Sequence, residues 1–397
     1  MPTKRVIKTP KLSNRTWFKL HGWCALPVWV LFSFICATGT LSVISHELTW
    51  LTNPQSRAAN PANLPPKTAA QMVSKVEATY PGAKVTRVLG FEDHMVHFVF
   101  FTSKEKPFAI AYVNQYSGEI QYVNQGMTFI YFMRSLHGWL LFPWQHGYSI
   151  GYYLVSIMSI FMLGALITGL VVYKKFWWAF LQPKIRFNIS SKQGRKTLLS
   201  DVHKLIGAWS IWFLLIMSFT GLWYLAQSII WHNGIDIDPE IPAISQQQLP
   251  QNVLSPAKPH YDLADALRLS KHIYQDFKVE EIMMPEHNRD RIKLYGKGDF
   301  IFYDHHAYYL AFNPWSGQMQ YQRGPSDMNF LQTMEHITDP LHFGNIGGIW
   351  TKIIWFIFGL FITFMPISGF IMWRKRNQYL FTKNTDSKTD ETLLTTP

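Results

Sequence analysis

The chain has 397 residues, of which 48% are hydrophobic, 16% aromatic and only 16% charged, with a formal net charge of +12. A charged fraction well below the roughly 25% of soluble domains excludes an ordinary soluble globule. The positive charge does not indicate nucleic-acid binding either, because it is gathered into short segments that flank apolar runs.

Four apolar segments, near residues 22–45, 149–172, 205–230 and 350–373, each reach the roughly 20 residues that cross a bilayer. Lys4, Arg5, Lys8, Lys11, Arg15 and Lys19 precede the first. Lys174, Lys175, Lys184, Arg186, Lys192, Arg195, Lys196 and Lys204 fill the link between the second and third, and Arg374, Lys375 and Arg376 follow the fourth. The positive-inside rule then predicts a multi-pass protein of a bacterial inner membrane, with both termini cytoplasmic and the polar stretches 50–135 and 233–340 periplasmic. The first run contains Pro27 and reads as a retained signal anchor. Cys24 and Cys36 both fall inside it and offer the external regions no disulfide framework.

The predicted organisation, in chain order, begins with a basic N-terminus and first span (1–48). A first external module (49–135) and second span (136–175) follow, then a basic cytoplasmic loop (176–204) and third span (205–232). A second module (233–335), fourth span (336–375) and cytoplasmic tail (376–397) complete it. In the first module, residues 69–81 have the pattern of an amphipathic helix, and 84–91, 95–103 and 108–124 alternate as strands. In the second, a helix over 262–274 is followed by predicted strands at 278–285, 291–296, 299–304 and 308–322. Asn114-Gln-Tyr-Ser-Gly-Glu and Asn313-Pro-Trp-Ser-Gly-Gln occupy the same place, a turn between the last two strands.

The spans repeat as well. TWFKLHGWCALPVWVLFSFICATG (16–39) and LLSDVHKLIGAWSIWFLLIMSFTG (198–221) each set a histidine eighteen residues before a closing glycine. That is about five turns, so His21 and Gly39, like His203 and Gly221, share a helix face. Spans two and four carry Leu-His before them, at His137 and His342, and Thr168-Gly169 and Ser368-Gly369 near their ends. The predicted fold is therefore an α-helical membrane protein of four transmembrane helices in two internally repeated halves, each with a small α+β module.

Four such spans, histidines at 21, 137, 203 and 342, and two modules with an Asn-x-x-Ser-Gly turn resemble the PepSY-associated transmembrane family over residues 15–376. About five extra residues around Phe142–His146 depart from the repeat. The resemblance implies PepSY-like modules and an inner-membrane, haem-containing reductase that releases iron from ferric siderophores.

Ionisable residues at membrane spans are functional candidates, and histidine is the usual protein ligand of b-type haem. Topology pairs His21 with His203 at the inner face and His137 with His342 at the outer one, which predicts two haem b groups per chain. His46, His146, His232 and His336 crowd the outer face as alternative ligands. Gly39 and Gly221 fall at outer depth, Gly169 and Gly369 at inner depth, where a missing side chain admits a macrocycle or simply a neighbouring helix. Arg134 is a cation on the outer side, three residues before His137, suited to a haem propionate. His94, His97, His305 and His306 lie in the modules, either on a metal or siderophore surface or on alternating faces of a sheet.

No nucleotide-binding loop is present, so electrons would come from a cytoplasmic reductase or the quinol pool. The expected function is a di-haem reductase of a periplasmic ferric siderophore or ferric chelate. The alternatives are a haem electron carrier for another acceptor and a non-redox PepSY-type binding or regulatory protein.

Overall fold

The computed structural model describes residues 12–90, 92–182, 184–250 and 262–393; the basic residues 4–11 and Phe91 lie outside the described residues. Helix α1 (Asn14–Ala25) gives way at a 3-10 turn, Leu26–Val28, and the chain continues as α2 (Trp29–Val43). The break falls on Pro27, whose ring and missing N–H disrupt the helical ladder. After α3 (Ser45–Thr52), the first module consists of α4 (Ala69–Thr79), β1 (Lys84–Leu89), β2 (His97–Thr102), β3 (Ala109–Val113) and β4 (Ile120–Asn124). The chain returns through α5 (Phe129–Trp139), α6 (Ile150–Ser156) and α7 (Met158–Val172), and α8 (Phe176–Leu181) lies in the basic link.

The second half begins with α9 (Lys192–Trp209) and α10 (Ile211–His232), which meet at Ser210. Its module holds α11 (Leu263–Ile273), β5 (Lys278–Met283), β6 (Ile292–Lys297), β7 (Tyr308–Phe312) and β8 (Met319–Arg323). Helices α12 (Phe330–Phe343) and α13 (Gly348–Leu393) complete the chain. Among the described residues, four helical segments are long and apolar enough to cross a membrane: Asn14–Val43, Ile150–Val172, Ile211–His232 and Gly348–Asn377. In the bundle α2 packs on α13, α1 on α7, α7 on α10 and α9 on α13.

One expectation changes. Residues 299–304 form turns instead of a strand: β6 already pairs with β7, and Phe300 and Ile301 project outward without a sheet partner. His137 and His342 come before spans two and four, as the sequence indicates, and lie on helices of their own, α5 and α12. Leu140 and Leu141, both at positive φ, end α5, and Gly344 at φ 71° caps α12.

All eight strands form one antiparallel sheet in the order β4-β3-β2-β1-β5-β6-β7-β8. The two modules are thus joined edge to edge, through Arg87↔Met283, Val88↔Ile282 and Leu89↔Glu281. Joining two edges removes exposed pairing groups from both. Met72 and Val76 of α4 and Leu263 and Ala266 of α11 share one apolar core with Val99, Phe101, Leu294 and Phe312 of the sheet. In the two matching turns, Asn114 and Asn313 each accept through Oδ1 from the backbone N–H groups two and three residues on. Gly118 and Gly317 supply the positive φ that closes each turn.

Phe101 is fully buried in this core, whereas Phe108 is half exposed. Phe101→Ala is expected to cost about 3–5 kcal/mol, read as a lower Tm of the full chain in detergent. Phe108→Ala is expected to stay within about 0.5 kcal/mol of wild type.

Candidate functional site

The four histidines come together in two facing pairs. His21 and His203 have ring centroids 6.5 Å apart with planes at 82°. His137 and His342 are 6.1 Å apart with planes at 26°. Two imidazole nitrogens bound on opposite sides of one metal ion, at about 2.0 Å each, put their ring centroids roughly 6 Å apart. Both pairs have that spacing.

Each ring is held by its Nδ1. That of His21 lies 3.0 Å from the Ala165 carbonyl and 3.1 Å from Thr168 Oγ1. That of His137 lies 3.0 Å from the Ile35 carbonyl. A carbonyl only accepts, so both rings carry their proton on Nδ1. His203 Nδ1 meets Ser368 Oγ at 2.7 Å, and His342 Nδ1 meets Thr220 Oγ1 at 2.8 Å. Ser368 and Thr220 donate their hydroxyl protons to the carbonyls of Met365 and Ile216, so they accept from the rings. All four histidines are therefore Nδ1–H tautomers with the lone pair on Nε2, and among the described residues no hydrogen bond reaches any of the four Nε2 atoms. A metal-ligating histidine needs this arrangement, one nitrogen anchored by a second residue and the other available.

The glycines sit where these rings are. A Cβ on Gly39 would come within 2.6 Å of His137 Cε1, and one on Gly169 within 3.2 Å of His21 Cε1. Gly369 is looser, at 4.0 Å from His203 Cε1, while Gly221 instead lets Ser159 approach and so serves helix packing. The level of each pair is set by these contacts: Gly169 and Gly369 at the inner pair, Gly39 and Thr220 at the outer one. Along α9 and α10 the 17 residues from His203 to Thr220 rise roughly 25 Å. Between them Phe213 meets Trp355 edge-on and Phe358 at a tilt of 41°, both with centroids 5.7 Å away.

The outer pair opens into a cavity of about 690 Å³, within the range of small-molecule sites. Its lower end is lined by Gly39, His137, Gly221 and His342, and its upper end by sheet residues including Glu281, Lys293 and Tyr309. Arg134 lines it too, 3.7 Å from Asp339 and stacked over Phe343. Burial disfavours the charge on Glu281, but the His306 hydrogen bond and the neighbouring Arg87 hold its carboxyl down to about 2. Burial, with His306 nearby, pushes His305 down to about 3 and keeps it neutral. Burial lifts Glu335 to about 7, and its Oε2 has no hydrogen-bond partner among the described residues.

Three of the four alternative ligands are engaged elsewhere. His46 is 3.4 Å from Glu92, and His232 Nδ1 is 3.2 Å from the Tyr153 hydroxyl. His146, at φ 49°, lies in the loop after α5. His336 is buried between Asp238 and Asp304, at 3.0 and 2.9 Å. In the modules His97 packs against Gly90, and His94 lies 3.7 Å from Glu92. His305 and His306 converge on Glu281. Sequence reasoning found the Ser/Thr-Gly pairs but not the role of the hydroxyls at Thr168, Thr220 and Ser368. The signal was their fixed place, one residue before each glycine.

The model of one protein family, described as PepSY-associated TM region, matches residues 18–376. Among curated proteins, none matches the chain.

Burial opposes a charge on His336, yet its hydrogen bonds to Asp238 and Asp304 outweigh that and lift it to about 9. A group raised above its ordinary 6.5 stabilises the fold fully below that pH and loses the contribution as pH rises through 9. The Tm of the full chain is expected to fall between about pH 7 and pH 9.5. His336→Gln is expected to flatten that fall, measured by thermal melts across the pH series.

Proposed function

Because the chain belongs to the family of the PepSY-associated TM region, we propose that it is an inner-membrane di-haem b reductase acting on a periplasmic ferric siderophore or ferric chelate. The carrying observation is the two imidazole pairs with ring centroids 6.5 and 6.1 Å apart, each ring fixed as the Nδ1–H tautomer with its Nε2 lone pair left over for a ligand. The residues present fit haem: His21 and His203 would hold one group, His137 and His342 the other. Haem held by two histidines supplies reversible one-electron transfer.

The protein's own part is to position and insulate. Ala165, Thr168, Ile35, Thr220 and Ser368 fix ring orientation, and Gly39 and Gly169 let the His137 and His21 rings lie against the helix backbone. The apolar cluster around Phe213 and Trp355 would insulate the path between the two levels. Arg87, Arg134 and Lys293 line the cavity beside Glu281 and Asp339, a mixed wall suited to a ferric chelate with oxygen donors. Iron(II) is held far more weakly by such donors than iron(III), so reduction frees the metal.

In this reading the His21/His203 end, flanked by the basic segments, faces the cytoplasm, where a cytoplasmic reductase or quinol would donate, and both modules face the periplasm. The two halves read as a duplication. Each histidine is anchored within its own half, His21 to α7 and His137 to α2, His203 to α13 and His342 to α10. The sheet order has the same symmetry about β1 and β5.

An absorption spectrum of purified protein is expected to show about two low-spin b haems per chain. His203→Ala and His342→Ala should each remove a different one, and ferric chelates should reoxidise the reduced protein. Protein from haem-replete cells that carries no haem would falsify the reading.

Thr220→Val removes only the acceptor of the His342 Nδ1–H. It is expected to weaken the outer haem by about 10–100-fold and leave the inner one unchanged. Gly39→Leu should abolish the outer haem, and haem titration of each variant separates the two effects.

A further inference from the structure

Glu281, His305 and His306 form a group of potential metal ligands that the reduction chemistry does not use. Their nearest ligand atoms all lie within 4.8 Å of one another. His306 Nε2 is 3.0 Å and His305 Nε2 3.9 Å from the same oxygen, Glu281 Oε2. The other oxygen, Oε1, faces Arg87 Nε at 2.6 Å, an ion pair without hydrogen-bond alignment. The carboxylate is thus divided, one oxygen held by a cation and the other turned to two imidazoles. Ligands bound at about 2.1 Å stand roughly 3.0 Å apart in cis octahedral sites and about 3.4 Å apart in tetrahedral ones. The observed 3.0 and 3.9 Å bracket those spacings.

The loop that carries both histidines is anchored independently of any ion. Asp304 N donates to the His336 carbonyl, and His306 N donates to Asp304 Oδ1. Arg323 Nη2 donates to the His306 carbonyl at 2.7 Å. The His306 ring packs edge-on against Tyr295 at 5.0 Å. Glu281 is fixed in strand β5, at the seam where it pairs with Leu89. Glu281 and His306 both line the cavity that reaches down to His137 and His342.

We propose that Glu281, His305 and His306 form a divalent transition-metal site on the sheet-facing wall of this cavity, with ferrous iron as the ion it receives. Two imidazoles and one carboxylate with open positions are a donor set for Fe(II) and related ions. All-oxygen sets suit Ca²⁺, Mg²⁺ or Fe(III) instead. The assignment of iron as occupant rests on the reductase reading; the ligand set does not. The ion arrives already reduced, so no electron moves at this site. It would take up the metal as the chelate releases it.

The test is equilibrium dialysis of the full-length protein, anaerobic and stripped by chelator, against Co(II). Cobalt counted by elemental analysis is not confused with haem iron, and Fe(II) is then added as competitor. Wild type is expected to hold one displaceable Co(II) per chain. The double variant His305→Ala/His306→Ala should bind at least 100-fold more weakly, and His287→Ala should bind as wild type. Glu281→Gln keeps the shape of the carboxylate, serves if the double variant does not fold, and should also lose the ion. Unsaturable binding, or wild-type affinity in Glu281→Gln or the double variant, overturns the site. Haem counted on the same samples keeps the two readings apart. Co(II) bound by a chain without haem sinks the reductase and leaves the site standing, and haem without Co(II) does the reverse.

Discussion

The hydrogen bond from each histidine Nδ1 to a neighbouring helix is the constraint on which the membrane portion depends. An imidazole placed between apolar helices must have its N–H satisfied, or its burial costs several kcal/mol. The partner is always in the same half: α7 for His21, α2 for His137, α13 for His203 and α10 for His342. These bonds therefore fix helix against helix within each half. The two halves meet where α2 packs on α13 and α7 on α10, and each imidazole pair takes one ring from either half. A ligand bound between the paired rings would tie one half to the other, adding to apolar packing and to polar links such as Tyr152–Gln227 and Lys352–Glu47.

The two levels are built differently. The inner pair stands on α1, within the first span, and on α9, which leads into the third span at the Ser210 break. The outer pair stands on α5 and α12, which follow β4 and β8 directly, so the sheet helps to set where His137 and His342 sit. Lys352 of α13 reinforces this link. It bridges Glu47 of α3 at 2.7 Å and Glu92 of the first module at 2.6 Å. A charge so nearly buried persists only because both carboxylates partner it. Strain or movement in the sheet would reach the outer pair first and the inner pair only through the length of the bundle.

Much of this was legible in the sequence because period and spacing carry it. The eighteen-residue distance from histidine to glycine, the two Asn-x-x-Ser-Gly turns and the four apolar runs all follow from helix and strand geometry. The failures have physical causes as well. Residues 299–304 alternate like a strand, yet alternation does not provide a pairing edge, and β7 had taken the one beside β6. His336 looked like a haem ligand by position, but Asp238 and Asp304 make it the cation of a buried network. The β1–β5 seam rests on three residue pairs, and no local pattern announces which edges of two modules will meet.

The outer pair shares its cavity with the sheet, and the inner pair does not line that cavity. The walls of that cavity carry both signs of charge, with Arg134 drawn to Asp339 and Arg87 to Glu281. Tyr224 donates to Asp339 at 2.7 Å while its ring packs edge-on against His342 at 5.1 Å. One connected set of polar groups thus runs from the outer imidazole toward the cavity, whereas apolar and aromatic side chains surround the path between the two pairs. Charge that reached the outer level would meet ionisable groups there, whereas the buried polar groups along the middle of the bundle include the hydroxyls of Thr40, Ser159 and Ser218. The chain therefore concentrates its ionisable groups at the end where the cavity meets the sheet.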